Sequence, residues 1–354
     1  MSAVRFEGVD IVFGNDAKSA LPLIDAGLSR TEIQEETGQV LGVANATLEV
    51  QEGEIVVLMG LSGSGKSTLL RAVNGLNPVA RGRCLVQGRD GEMVDPARCG
   101  RRRLRRLRQR SVAMVFQQFG LLPWRTVRQN VALGLELSHQ RKERSARVDE
   151  QLQLVGLDGW GDRKVSELSG GMQQRVGLAR AFATQAPILL MDEPFSALDP
   201  IIRDRLQDDL LDLQRRLKRT IVFVSHDLDE ALKLGDRIAI MEGGRIVQVG
   251  TPRRIVLEPA TPYVRDFTRT VDRRGVLQAR DVLTPHEGDA PSELAEAFDP
   301  EERIEPGRPA LVGKDAPLRE IMRLLDATGR PVLVGTPRKL EGTVDTQAVV
   351  RALA

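Results

Sequence analysis

The chain has 354 residues, 41% of them hydrophobic, with a formal net charge of +2 and two cysteines. Such a length predicts two or three domains with a full apolar core, which excludes dependence on disulfide or metal staples. The near-neutral charge excludes a strong nucleic-acid footprint, and Cys84 and Cys99 form neither a CxxC pair nor a metal-ligand set.

In chain order, alternation over 4–9 predicts a strand. Residues 20–37 read as one or two short helices. Ser29-Arg30-Thr31-Glu32 is spaced as a capping box there, and Gly38 is the stop. Strands are predicted at 48–50 and 54–59. Ile55-Val56-Val57-Leu58-Met59 is apolar throughout, as expected of a parallel strand buried on both faces. Gly60-Leu61-Ser62-Gly63-Ser64-Gly65-Lys66-Ser67-Thr68 follows it directly and opens a helix, the context of a phosphate-binding loop. Its glycines let backbone N–H groups turn inward on phosphate, and the helix starting near Lys66 adds a positive dipole end. Lys66 is assigned to the β and γ phosphates and Ser67 to Mg²⁺, a hard ion that prefers oxygen ligands.

The arginine-crowded stretch 98–110 reads as a solvated helix, because no aromatic side chains are interleaved to stack on bases. Further strand-length apolar runs lie at 112–116, 188–191 and 221–224. Helical patterns lie at 127–137, 146–155, 172–185 and 203–217, and a hairpin turns about Gly243-Gly244. This alternation predicts an α/β layered sheet. No apolar run reaches the ~20 residues that cross a bilayer, and the start lacks the apolar region of a signal peptide. The expectation is a cytoplasmic chain, consistent with sparse cysteine, that meets a membrane only through a partner.

Chemistry-bearing residues cluster at the ends of predicted strands. Asp192 and Glu193 follow the run 188–191, at the end where ligands of open α/β sheets collect. Asp192 is assigned to Mg²⁺ and Glu193 to polarising the attacking water. Gln117 and Gln118 follow 112–116; either can ligate Mg²⁺ or orient water, and spacing alone does not choose. His226 follows the third strand, either as a sensor of the γ-phosphate or as a surface cap. In Leu168-Ser169-Gly170-Gly171-Met172-Gln173-Gln174 two glycines precede a long helix, a second anion-binding device. One nucleotide rarely needs two such devices from one subunit. A two-fold dimer, in which each copy's device serves the other's nucleotide, resolves the excess.

Ser169 to Gln174 resembles the signature of ABC transporter ATPases, and Ser196-Ala197-Leu198-Asp199 resembles their D-loop. Gln117 matches their Q-loop and His226 their switch histidine. With the P-loop and Asp192-Glu193, these stand in the family's order over roughly residues 1–265. The resemblance implies an α/β P-loop nucleotide-binding fold with an antiparallel β subdomain and a helical subdomain near 120–180. It also implies ATP and Mg²⁺ as ligands, and an ATP-sandwich homodimer in which Ser169, Gly170, Gly171 and Asp199 serve the nucleotide. Phe13 is the implied adenine-stacking aromatic, although the segment 20–38, which most relatives lack, intervenes before the next strand. That insertion, Met59 to Gly65, and Leu122-Pro123-Trp124-Arg125-Thr126-Val127 are similar to ATP-binding subunits of glycine betaine, proline and choline importers. The last segment is most like the choline type. Such a subunit implies integral-membrane permease partners, an external substrate-binding protein and a peripheral place on the cytoplasmic face. A soluble ABC ATPase acting on DNA or the ribosome is the competing reading. It is disfavoured by a single P-loop and no sustained heptads.

From about residue 270 the character changes. Proline, glycine and acids crowd 284–309, then a helix at 318–325, a strand at 332–334 and a helix at 346–353 are predicted. The expected division is an ATPase domain at 1–270 and a small α/β unit at 271–354. Residues 280–285 resemble the opening of one CBS module, and 315–318, 332–334 and 340–344 a second, shortened one. The unit is expected to be a reduced pair, either regulatory or dimer-stabilising.

Overall fold

The structure, a computed structural model, describes residues 1–138, 144–269, 271–286, 297, 299, 305–337 and 339–353. The chain divides into two units, Met1–Thr251 and Pro252–Ala354.

In the first unit, β1 (Ser2–Phe13) and β2 (Val40–Gln51) form a long antiparallel ribbon. Two strands, β4 (Arg81–Gln87) and β5 (Met93–Val94), extend it into a sheet of order β2-β1-β4-β5. Only parts of β1 and β2 were legible in the sequence. Register shifts at Phe6/Val9 and Val9/Ile11 break the alternation, and residues 9–12 are all buried. Between the two strands, α1 (Leu21–Asp25) and α2 (Arg30–Thr37) form the insertion. The Ser29–Glu32 capping box is made in both directions, and Gly38 ends α2 in the left-handed region. Ala20, Ile24 and Ile33 bury against Val12, Leu41 and Ala44.

The second sheet contains β3 (Ile55–Met59), β6 (Val112–Val115), β7 (Ile188–Asp192), β8 (Thr220–Val224), β9 (Arg237–Glu242) and β10 (Arg245–Gly250). Its order is β10-β9-β3-β8-β7-β6, parallel except at the β9–β10 hairpin. Every residue of β3, β7 and β8 is buried, which explains their unbroken apolar character. Helix α3 (Lys66–Val73) lies between the two sheets. Its Leu69, Leu70 and Val73 share one core with Phe6, Val43 and Leu48 on one side and Leu58, Leu190 and Val222 on the other. Each such side chain contributes about 1.5–3 kcal/mol by burial, so the start of α3 is firmly held at the carboxyl end of β3.

Helix α4 (Arg101–Arg110) buries Leu107 and exposes most of its arginines, as the solvated reading requires. Helices α5 (Val127–Leu137), α6 (Arg144–Leu154) and α7 (Gly170–Ala183) pack on one another as the helical subdomain. Helix α8 (Pro200–Leu217) follows β7, and α9 (Leu228–Leu234) follows β8. Among the described residues no helix is long and apolar enough to cross a membrane.

In the second unit, α10 (Pro252–Leu257) and α11 (Pro262–Thr268) precede a four-stranded sheet. The division therefore falls at Thr251, whereas the compositional change points to residue 270. Leu257 packs on the second unit's core and Arg253 pairs with Asp281, so these helices belong with the C-terminal sheet. The sheet runs β11 (Thr284–Pro285), β14 (Lys339–Val344), β13 (Val332–Thr336), β12 (Leu311–Val312), with helices Leu318–Thr328 and Thr346–Leu353. Thr284 pairs with Thr343, so the pieces assigned to two CBS modules share one sheet. Most of the acid-rich stretch that begins at 284 lies outside the described residues.

Candidate functional site

Four adjacent parallel strands, β3-β8-β7-β6, deliver four loops to one edge of the sheet. The loop after β3 is the P-loop. Gly60 has φ +141°, and a Cβ there would stand 2.1 Å from the Met241 carbonyl oxygen; Gly65 has φ +103° and would meet the Gly42 oxygen at 2.5 Å. Only glycine fits this turn against β9 and β2. Lys66 is buried and its Nζ donates to the carbonyls of Gly60 (2.8 Å) and Leu61 (2.9 Å). Burial pulls its pKa down, while the charges of Glu193 and Asp192 push it up; burial prevails.

Ser67, at the first turn of α3, donates its hydroxyl to Asp192 Oδ1 at 2.6 Å. One turn on, Arg71 donates to Asp192 Oδ2 at 2.9 Å. Asp192 is fully buried at the end of β7. Glu193 then turns out of the strand with φ +48°, a sparsely populated conformation for a non-glycine residue. Its Oε2 accepts from Gln117 Nε2 at 3.1 Å and lies 3.4 Å from His226 Nδ1. Sequence spacing left Gln117 and Gln118 open; it is the Gln117 amide that reaches Glu193.

The residues fit a nucleoside polyphosphate with a hard cation. Among the described residues Ser64 Oγ is buried in the loop without a hydrogen-bond partner, and a phosphate oxygen would accept a hydrogen bond from it. Ser67, Gln117 and Asp192 supply only oxygen donors for a cation, the set Mg²⁺ prefers.

Ser169 caps α7, its Oγ accepting from the Met172 N–H at 3.4 Å, and both Ser169 and Gly170 are exposed. Asp199 caps α8 by accepting from the Ile202 N–H at 3.1 Å. Neither side chain bonds to the P-loop of its own chain among the described residues. The edge of the Phe13 ring and the Thr68 methyl both lie over Gly42, where a Cβ would meet them at 2.8 and 2.9 Å. Phe13, 38% exposed, therefore stands beside the start of α3.

A family model for the ABC transporter matches residues 43–196. The glycine betaine/carnitine transport ATP-binding protein of Listeria monocytogenes is 42% identical, over the whole chain and 98% of its own length. The chain belongs to the ABC transporter family. A second ABC relative, the glycine betaine/proline betaine transport ATP-binding protein of Escherichia coli, is 51% identical over 77% of this chain and 67% of its own. The post-hydrolysis dimeric structure of an ATP-binding cassette with ADP and Pi is 29% identical, with TM-score 0.60, covering 70% of this chain and 98% of the other.

Three further residues at this ABC site were not singled out in the sequence. Arg71 lies one turn beyond Ser67. Gln174, buried on α7, donates to the Glu193 carbonyl (3.1 Å) and accepts from the Ala197 N–H (3.0 Å). Arg30, on the insertion, donates to the Gly63 carbonyl of the P-loop. Their signals were faint: α3's period for Arg71, the signature's last glutamine for Gln174, a capping box for Arg30.

Proposed function

We propose that this chain is the ATP-hydrolysing subunit of an importer for quaternary amines such as glycine betaine. It would work as a homodimer on the cytoplasmic face, through separate integral-membrane permease subunits fed by a substrate-binding protein. The full-length identity to the Listeria protein is the observation that carries this reading. The Listeria and Escherichia relatives are named for betaines and carnitine. The proposal is therefore set at the quaternary-ammonium class, with choline a member to be tested.

In this reading the backbone N–H groups of residues 60–68 cradle the phosphates, Lys66 neutralises the β and γ oxygens, and Phe13 stacks on adenine. Ser67, Gln117 and Asp192 would hold Mg²⁺, which when bound supplies Lewis-acid stabilisation of charge on the phosphate oxygens. Glu193 accepts the proton of the attacking water and His226 holds the γ-phosphate. Ser169, Gly170, Gly171 and Asp199 of a second copy close the site, in keeping with their freedom from their own P-loop. Exposed Trp124, in the loop that Asn130 pins through the Leu122 N–H (2.8 Å), offers a surface to the permease.

The test is uptake of labelled glycine betaine and choline by cells expressing the chain with its permease, against Lys66→Ala. Both activities, or one, are expected to collapse in the variant. Unchanged uptake of both would remove the quaternary-amine assignment.

A further inference from the structure

We propose that Arg30 is a positioning residue of the nucleotide site. Its guanidinium ties the P-loop to the β1–β2 ribbon and sets an unneutralised positive charge on the loop that receives the phosphates. The inference rests on the reading of residues 60–68 as a phosphate cradle.

Local structure gives no reason for an arginine at this position. Arg30 is the first residue of α2, where the helix dipole disfavours a cation. The acid in the same first turn, Glu32, is two residues on and is engaged with the Ser29 N–H at 2.7 Å, completing the cap. Among the described residues no carboxylate pairs with Arg30. A locally unfavourable choice without compensation points to a role elsewhere.

The contacts show where. Arg30 spends each of its three nitrogens on a different backbone carbonyl: Nε on Leu41 (2.7 Å), Nη2 on Gly42 (3.2 Å) and Nη1 on Gly63. Leu41 and Gly42 belong to β2, and Gly63 belongs to the P-loop. The guanidinium is a planar fork with five N–H donors, so it joins the two backbones and retains N–H capacity. Gly42 already meets the cradle at two other points. Its oxygen limits Gly65, and its Cα lies under Phe13 and Thr68. Arg30 thus completes a three-way junction of ribbon, P-loop and insertion.

The base of this strut is rigid. Ile24 and Ile33 are buried with Val12 and Leu41, and Arg245 on β10 donates to the Ile24 carbonyl at 3.0 Å. Burial lowers the Arg30 pKa, so a polyanion on the adjoining loop would compensate a desolvated cation. The ligand class is a nucleoside polyphosphate, and the insertion becomes part of the site rather than an ornament on the ribbon.

Two full-length variants test this, Arg30→Met and Arg30→Lys, each with two measurements. In nucleotide-free protein, hydrogen–deuterium exchange of peptides covering 60–66 should rise at least about fivefold in Arg30→Met, with β7 unchanged. Arg30→Lys keeps the charge but cannot span three carbonyls, so its loop exchange should also rise. In Mg²⁺-ATP titrations Arg30→Met should raise KM about tenfold, with kcat changed less than about twofold, and Arg30→Lys should recover most of that loss. Should Arg30→Met also loosen 20–38, the Lys variant decides. Wild-type exchange at 60–66 together with wild-type KM in both variants overturns the proposal. If the wild-type protein itself binds no ATP, the phosphate-cradle reading fails, while the nucleotide-free exchange still decides whether Arg30 holds the loop.

Discussion

Glu193→Gln isolates the step that separates ATP binding from ATP hydrolysis. The substitution preserves shape, and the replacing amide can still accept from Gln117, which donates to Oε2 at 3.1 Å. What is lost is a base. A positioned general base contributes about 10²–10⁴ in rate, or about 2.7–5.4 kcal/mol at ~1.36 kcal/mol per decade. The adjacent carboxylate is no substitute. Asp192 is fully buried with its two oxygens taken by Ser67 and Arg71, so it cannot take over the water. The loss should therefore fall in the upper half of that range. Single-turnover hydrolysis of γ-labelled ATP gives the rate, and light scattering with ATP gives the dimer. The expected result is a rate at least about 10³-fold lower, ATP affinity within about threefold of wild type, and a dimer that persists with ATP. Hydrolysis within tenfold of wild type, with binding and dimer intact, would refute the assignment of Glu193 as base.

Gly60→Ala should destabilise the first unit by about 2–6 kcal/mol, combining an unfavourable positive φ with a clash against the Met241 carbonyl; an unchanged urea midpoint would contradict the turn geometry. In the second unit, burial pushes the Asp281 carboxyl up, but the hydrogen bonds of Arg253 and the Gln278 N–H, and the charges of Arg253 and Arg280, outweigh it and hold it below 3.8. A depressed carboxyl stabilises the fold fully above its unfolded pKa, and that contribution is lost as pH falls through the folded value. With the Arg253 side chain 36% exposed, Arg253→Met should therefore cost about 1–2 kcal/mol near neutrality, and the difference from wild type should shrink below pH 3.8. A pH-independent difference in urea midpoint would show that Arg253 acts by packing.

The central sheet was legible because β3, β7 and β8 are buried on both faces, so their residues have to be apolar without interruption. The candidate nucleotide site stands out for a related reason: phosphate chemistry restricts a P-loop to glycine, lysine and a hydroxyl at fixed spacing. Strands β4 and β5 carry no clear pattern, because β4 opens on the partly exposed Arg81, Gly82 and Arg83 and β5 is only two residues long. The contact division at Thr251 and the compositional change near residue 270 differ for a physical reason as well. Leu257 and Arg253 of α10 make their contacts with the second unit, whereas the proline, glycine and acid-rich stretch begins only beyond α11. Residues acting through backbone carbonyls, such as Arg30 and Gln174, leave only a faint trace because any backbone offers the same acceptor. Their partners are fixed only once the fold has brought distant segments together.

Glu193 shows how those distant segments combine. Its N–H donates to the Val224 carbonyl at 3.1 Å, so β8 holds one side of the residue. Its carbonyl accepts from Gln174 on the signature helix at 3.1 Å and from Ser196 Oγ in the D-loop at 3.0 Å. The side chain is tied to Gln117 in the Q-loop and faces His226. A backbone pinned on both sides can sustain the roughly 1–3 kcal/mol that a positive φ costs, and that φ is what turns the carboxylate out of the strand. Because the pins come from separate loops, a displacement of the Q-loop by a partner, or of α7 by a second copy, reaches the same carboxylate. In the proposed mechanism this carboxylate is the base, and it would feel both docking and dimer closure, coupling hydrolysis to assembly without a long relay.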